Sequence, residues 1–192
     1  MKKNTLSIAF AVLFVSTALA GDPIDKEKKV VNTEKSTVSW KGYKVTGSHY
    51  GTIALKDGHL VFAGDKLTGG DFTVDMSTLV SNDLEGENKG KLEGHLKSDD
   101  FFGTDTHPTA NLIFTEVKAT GKNSYKVSGN LTVKGKTNPV TFDLSVYGSK
   151  ATANVKIDRS KYDVRYGSGS FFDNLGDKTI YDEFDLVVDL VF

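Results

Sequence analysis

Four histidines, His49, His59, His95 and His107, and no cysteine make up the soft-ligand inventory of this 192-residue chain. Zinc needs three or four convergent ligands, and local sites usually show paired histidines at helix or strand spacing. These four are scattered with no His-x-His or His-x-x-x-His pair, so they are read as separate side chains and no metal site is expected. His59 neighbours a turn-like Lys-Asp-Gly and His107 precedes Pro108, both positions for loop residues. A serine nucleophile would need a base and an oxyanion hole. Ser168 and Ser170 lie in Gly-Ser-Gly-Ser-Phe-Phe, with no Gly-x-Ser-x-Gly elbow and no glycine-rich phosphate loop. That segment reads as a gating loop, because such loops commonly cover binding sites. The acidic pairs Asp99-Asp100 and Asp182-Glu183 read as a helix end and a solvated turn. No catalytic residue is expected.

The elements that must position these groups read as strands. Nineteen glycines against three prolines, 38% hydrophobic and 26% charged residues describe a turn-rich globular chain. A formal net charge of −1 and no obviously basic face exclude a nucleic-acid footprint. Residues 1–20 carry Lys2 and Lys3, an apolar run and Ala18-Leu19-Ala20, the pattern of a signal peptide cleaved near Ala20. Residues 21–36 are polar and lysine-rich and read as a flexible or loosely docked leader. Residues 37–192 form one domain.

Within that domain apolar residues alternate with polar ones: Phe72, Val74 and Met76; Val140, Phe142, Leu144 and Val146; Phe184, Leu186, Val188 and Leu190. Gly51–Leu55 and His59–Phe62 read as two short strands about a hairpin turn at Lys56-Asp57-Gly58. Ser81–Gly90 reads as a polar loop before one short helix carrying Leu92 and Leu96. Alternation alone leaves sandwich and barrel open. Two features favour an all-β antiparallel barrel of about eight strands: Val187 and Val191 on a partly covered outer wall, and rings on several inner faces. Trp40, Phe62, Phe72, Phe114 and Phe142 are those inner-face rings. Phe101, Phe102, Phe171 and Phe172 form two loop pairs, expected to line or cover a barrel mouth.

Four blocks in order resemble the YceI family of secreted lipid-binding barrels: TVSWKGYKVTGSHYGTI, VDMSTLVSND with HLKSDDFF, GNLTVKGKTNPVTFDL, and ANVKIDRSKYDV with the closing strand. The resemblance spans nearly all of residues 37–192. It implies a lipocalin-like fold holding a long-chain amphiphilic lipid, of polyisoprenoid, isoprenoid-quinone or fatty-acyl type. His49 and His95 fall inside these blocks, where they could hydrogen-bond near a cavity mouth. The expected ligand-binding set is Trp40, Tyr43, Phe62, Phe72 and Leu96, the two loop pairs, Phe114, Leu131, Phe142, Arg165, Phe184 and Leu186. Arg159, Arg165, Lys97 and Tyr162 are the candidates for a polar head group. No cofactor beyond the bound lipid is expected. The localisation expected is periplasmic or secreted, with transient contact with a membrane or membrane enzymes, as a monomer or homodimer. Two rival functions stand beside this one. A small hydrolase or redox-protective enzyme would need a triad among His49, His95, Ser168, Ser170 and Asp173. A ligand-free stress-protective protein would have a filled barrel.

Overall fold

The structure, a computed structural model, describes residues 25–192; the predicted signal peptide and the start of the leader lie outside the described residues. Eight antiparallel strands close on themselves: β2 (Thr37–Lys44), β3 (Gly47–Ala63), β4 (Lys66–Ser81), β5 (Thr109–Gly121), β6 (Ser124–Val133), β7 (Lys136–Tyr147), β8 (Lys150–Asp158) and β9 (Ile180–Val191). The ring runs β3-β2-β9-β8-β7-β6-β5-β4 and is sealed by pairing of β4 back onto β3. Closure removes the free edges that an open sheet of such long strands would expose. The one α-helix among the described residues, α1 (Gly86–Lys97), lies between β4 and β5.

The alternation expected from sequence holds through most of the wall. Val127, Leu144, Ala153, Val155, Ile157 and Leu190 all point inward, each no more than 6% exposed. One supporting argument fails. Val187 on the outer face of β9 is 44% exposed, so that part of the wall is not covered, and closure rests on the β3–β4 ladder instead.

Three local expectations are corrected. Lys56-Asp57-Gly58 is not a hairpin turn, for β3 runs straight through it. Leu55 pairs Val74 and Asp57 pairs Thr73, leaving Lys56 as a one-residue bulge. Gly58 does not take a positive φ; a Cβ there would lie 2.5 Å from the Phe72 ring. Its glycine makes room for an aromatic ring, and the turn comes later at Gly64, whose φ is +58°. The helix begins at Gly86 and takes the last five residues of the segment read as loop, because its glycines and polar residues hide a helix with no fully buried side chain.

The third concerns the leader, read as flexible or loosely docked: its described part is docked in register. Lys26–Val30 forms β1, paired antiparallel with His59–Ala63 of β3. Val31 is 4% exposed and its N–H donates to the Gly58 carbonyl, while Asn32 N–H reaches Val191. The segment is docked mainly by backbone hydrogen bonds, with most side chains of β1 left in water, so composition alone does not reveal it. Its lysines also guard the outer edge against further strand addition.

Candidate functional site

Inward side chains of the barrel leave a cavity of about 250 Å³. Its deep wall is aliphatic, including Val38, Leu144, Ala151, Ala153 and Leu190. Toward the end where β2 meets β3 the lining turns aromatic and then polar, with Trp40, Phe184, Tyr43, Lys44, His49 and Tyr181. Helix α1 lays Leu92, His95 and Leu96 along this mouth. The opposite end is plugged. Phe62 and Phe192 stack there with ring centroids 5.8 Å apart, and the Lys29 ammonium lies 5.0 Å from the Phe62 ring.

Rings line the middle of the cavity because glycines on neighbouring strands give them space. A Cβ on Gly70 would come within 3.0 Å of both Phe114 and Phe72. Phe114 in turn sits 5.6 Å from Phe72 and 5.8 Å from Phe142. After α1 the chain turns through Phe101 and Phe102, which meet edge to face at 4.9 Å; Phe102 also approaches Phe184 at 6.5 Å. Both line the cavity, forming the floor of its mouth under the helix.

Eleven of the fifteen residues expected at the site line this cavity: Trp40, Tyr43, Phe72, Leu96, Phe101, Phe102, Phe114, Leu131, Phe142, Phe184 and Leu186. Four do not. Phe62 is 4% exposed but belongs to the plugged end. Phe171 and Phe172 are 39% and 50% exposed and lie outside the barrel, so they are not a lid over this cavity. Their loop turns tightly on Ser168, whose carbonyl accepts both of their N–H groups, and this aims the rings outward. Arg165 is tied to Asp163 and stacks on Phe171, and it lines an outer groove with Asp99, Asp100 and Lys134.

Of the other head-group candidates, Arg159 reaches the cavity lining with its donors already committed, while Lys97 and Tyr162 do not line it. Arg159, 2% exposed, spends Nε on Tyr181 O, Nη1 on Val164 O and Tyr166 O, and Nη2 on Ile180 O. Asp182 lies 3.4 Å from Nη2, and the Phe101 ring 5.3 Å from the guanidinium carbon. Burial pushes the guanidinium down from its ordinary value, partly offset by Asp182 and Asp158. It stitches the loop after β8 to the start of β9. Tyr162 is 1% exposed and outside the cavity; burial, then Asp158, pushes its phenol up to about 12.

Among the described residues no serine triad is assembled. Ser170 Oγ donates to Asp182 and Ser168 Oγ accepts from Ser170 N–H. His49, expected to hydrogen-bond near the mouth, does so in a polar brace whose other members sequence reasoning missed. His49 Nδ1 lies 2.7 Å from Asp83 Oδ2, and Asp83 Oδ1 accepts Tyr50 N–H and the Ser81 hydroxyl. Burial pushes the Asp83 carboxyl up, but His49, Ser81 and Tyr50 together outweigh it and hold it below the ordinary carboxylate range. Ser81 N–H donates to Glu93 Oε1 of α1, locking the helix to the strand end. The hydroxyl gives its hydrogen to the carboxylate and not to the imidazole, so this is an orienting device and not a nucleophile. The signal available in sequence was Ser-x-Asp directly after an alternating strand.

The family model of the YceI-like domain matches residues 30–192. The chain belongs to the YceI family. A UPF0312 protein of Pseudomonas putida strain GB-1 is 33% identical over 152 residues, 74% of each chain. Protein YceI of Shigella flexneri is 33% identical over 158 residues, 77% of this chain and 74% of its own. Among solved structures, BcnA of Burkholderia cenocepacia superposes with a TM-score of 0.63 at 23% identity, over 84% of this chain and 99% of its own. A polyisoprenoid binding domain from Saccharophagus degradans superposes with a TM-score of 0.56 at 15% identity, over 84% and 97% of the two chains. At these identities the two structures establish the shared YceI barrel fold, the lipocalin-like architecture expected from sequence.

Proposed function

We infer that this YceI-family protein is a periplasmic or secreted binding protein that holds one long-chain amphiphilic lipid, of isoprenoid or fatty-acyl type, inside its barrel for transport or storage. The observation that carries this reading is the cavity itself: an aliphatic interior graded through aromatic rings to a polar mouth. Such a gradient matches an amphiphile inserted tail first. Burying roughly 400 Å² of tail at about 25 cal/mol per Å² supplies on the order of 10 kcal/mol before association costs, so retention needs no covalent step. The Saccharophagus degradans domain, described as polyisoprenoid binding, supports the isoprenoid class. The reading is non-enzymatic, with no cofactor beyond the lipid. An open cavity disfavours the rival filled-barrel reading.

Pick-up of so apolar a cargo requires contact with a lipid phase, and the mouth end is dressed for it. Val45, Tyr166, Phe171, Phe172 and Tyr181 are each between 39% and 51% exposed. Hydrogen bonds from Val45 N–H to Thr179 O and from Ile180 N–H to Gly167 O hold their segments side by side. The tyrosines are amphipathic rings of the kind that favour membrane–water interfaces, and the valine and phenylalanines add apolar surface beside them. The protein therefore rests its rim on a bilayer transiently, as a monomer or homodimer.

Ala153 lines the cavity and is small. Ala153→Phe is expected to fill the lumen and abolish displacement of a fluorescent apolar dye by long-chain lipids while leaving the barrel folded by circular dichroism. A folded variant with undiminished lipid affinity would remove the cavity from the account.

A further inference from the structure

The ladder of the barrel wall is incomplete at one seam. Between β4 and β5 it holds five residue pairs, from Asp75–Thr109 to Asp71–Ile113, and stops. β5 continues along β6 to Gly121, but no described strand pairs with its other side beyond Ile113. Two features drive the strands apart. β5 bulges at Thr115, between the pairs Phe114–Gly129 and Glu116–Ser128, and a bulge bends its strand. The Phe114 ring fills the space beside Gly70, where a Cβ would lie 2.9 Å from it. β4 has left the seam as well, for its Leu67 N–H donates to the Tyr125 hydroxyl of β6 and not to a β5 carbonyl. Glu116–Ala119, the regular run after the bulge, is therefore a free edge that offers backbone donors and acceptors to another strand.

A second copy of the chain is the strand this edge fits. Glu116 and Lys118 are exposed and pair with each other at 2.9 Å, while Val117 between them is half-buried against the core. Two copies of one strand, paired antiparallel about a two-fold axis, must set one residue against itself. Centred on Glu116 or on Lys118, the pair would put like charges directly opposite, which is destabilising. Centred on Val117, it puts Glu116 opposite the partner's Lys118 and Lys118 opposite the partner's Glu116, with the two valines meeting on the inner face. Lys118 gains most, because its neighbour across β6 is Lys126. The outer edge of β1 fails the same test, since the register that opposes Glu27 and Lys29 sets Lys28 against its own copy.

We propose that two copies of this chain join edge to edge through β5, in an isologous antiparallel ladder centred on Val117. Glu116, Val117 and Lys118 do not line the cavity, so the interface stands independently of any bound lipid. A ladder this short buries little area, which makes the dimer weak and concentration-dependent.

Sedimentation velocity of the purified protein over a concentration series should show reversible dimerisation. Glu116→Lys and Lys118→Glu should each weaken it roughly tenfold or more, since either reversal creates two like-charge pairs. Mixing the two variants restores opposite charges at both positions, so a heterodimer of parental affinity is expected, and the doubly exchanged chain should dimerise likewise. Hydrogen exchange of the parent needs no variant: amides of Glu116–Ala119 that face away from β6 should slow as concentration rises. A chain that stays monomeric at every concentration overturns the proposal. So does a dimer that both single reversals leave intact, or one that leaves exchange at Glu116–Ala119 unchanged, because the contact then lies on another face. None of these outcomes bears on the cavity.

Discussion

At the residue scale the Asp83 brace makes a pH-dependent contribution whose sign is fixed. Its folded pKa lies below the unfolded value, so the native state binds the proton less readily than the unfolded chain. Its stabilisation is therefore fully present above about pH 4, the unfolded carboxylate value, and fades as pH falls through the lower folded one. Asp83→Asn is expected to cost about 1–3 kcal/mol at neutral pH, the loss of hydrogen bonds to a half-buried charge. Urea midpoints measured against pH should show variant and parent converging below about pH 4. A gap that stays constant to the acid limit would mean that the brace works by shape and not by charge. The exposed rings carry a separate expectation. Phe171→Ser with Phe172→Ser should slow lipid uptake from vesicles several-fold without changing equilibrium affinity, because neither ring touches the cavity. Stopped-flow transfer measured beside equilibrium titration separates the two effects. Ring identity was readable in Phe171-Phe172, but direction was not, since a turn on Ser168 decides where the side chains aim.

At the element scale the barrel depends on glycines placed where strands and rings press together. Gly51 is the sharpest case, for a Cβ there would stand 1.8 Å from the Val80 carbonyl oxygen and 2.9 Å from the Trp40 ring. Backbone cannot yield as a side chain does. Gly51→Ala is expected to destabilise by roughly 3 kcal/mol or more, at the upper end of overpacking effects. Gly42 on β2 has nothing within 4 Å of its would-be Cβ, so Gly42→Ala should change stability by less than about 0.5 kcal/mol. Thermal unfolding of the pair checks the contrast, and equal losses would contradict it. The same geometry explains what was legible. Strands buried on one face, such as Phe184–Leu190, announce themselves by period-two alternation. A strand such as β1, held by backbone pairing with its side chains in water, does not. Gly58 mimicked a turn because a glycine that clears a ring and one that takes a positive φ are the same letter. Long-range neighbours tell them apart.

At the scale of the whole molecule, the residues facing the lumen were largely visible because inward alternation and burial are one fact seen twice. The polar fittings were less visible. Asp83, Ser81 and Glu93 become one device only when β4 and α1 pack together, and Arg159 reveals its stitching role only once four carbonyls surround it. The need to cover edges left barrel and sandwich both open in the sequence, and the β3–β4 ladder closes the sheet as a barrel. The hollow centre sets this molecule apart from a packed barrel, and it is the feature on which the proposed storage of a lipid rests.

Organic-solvent extraction of the purified protein, read by mass spectrometry against protein concentration, measures this directly. The account predicts close to one long-chain lipid per chain, of isoprenoid or fatty-acyl type, and an Ala153→Phe protein that yields none. An empty extract from a protein that also takes up no lipid from vesicles would contradict it.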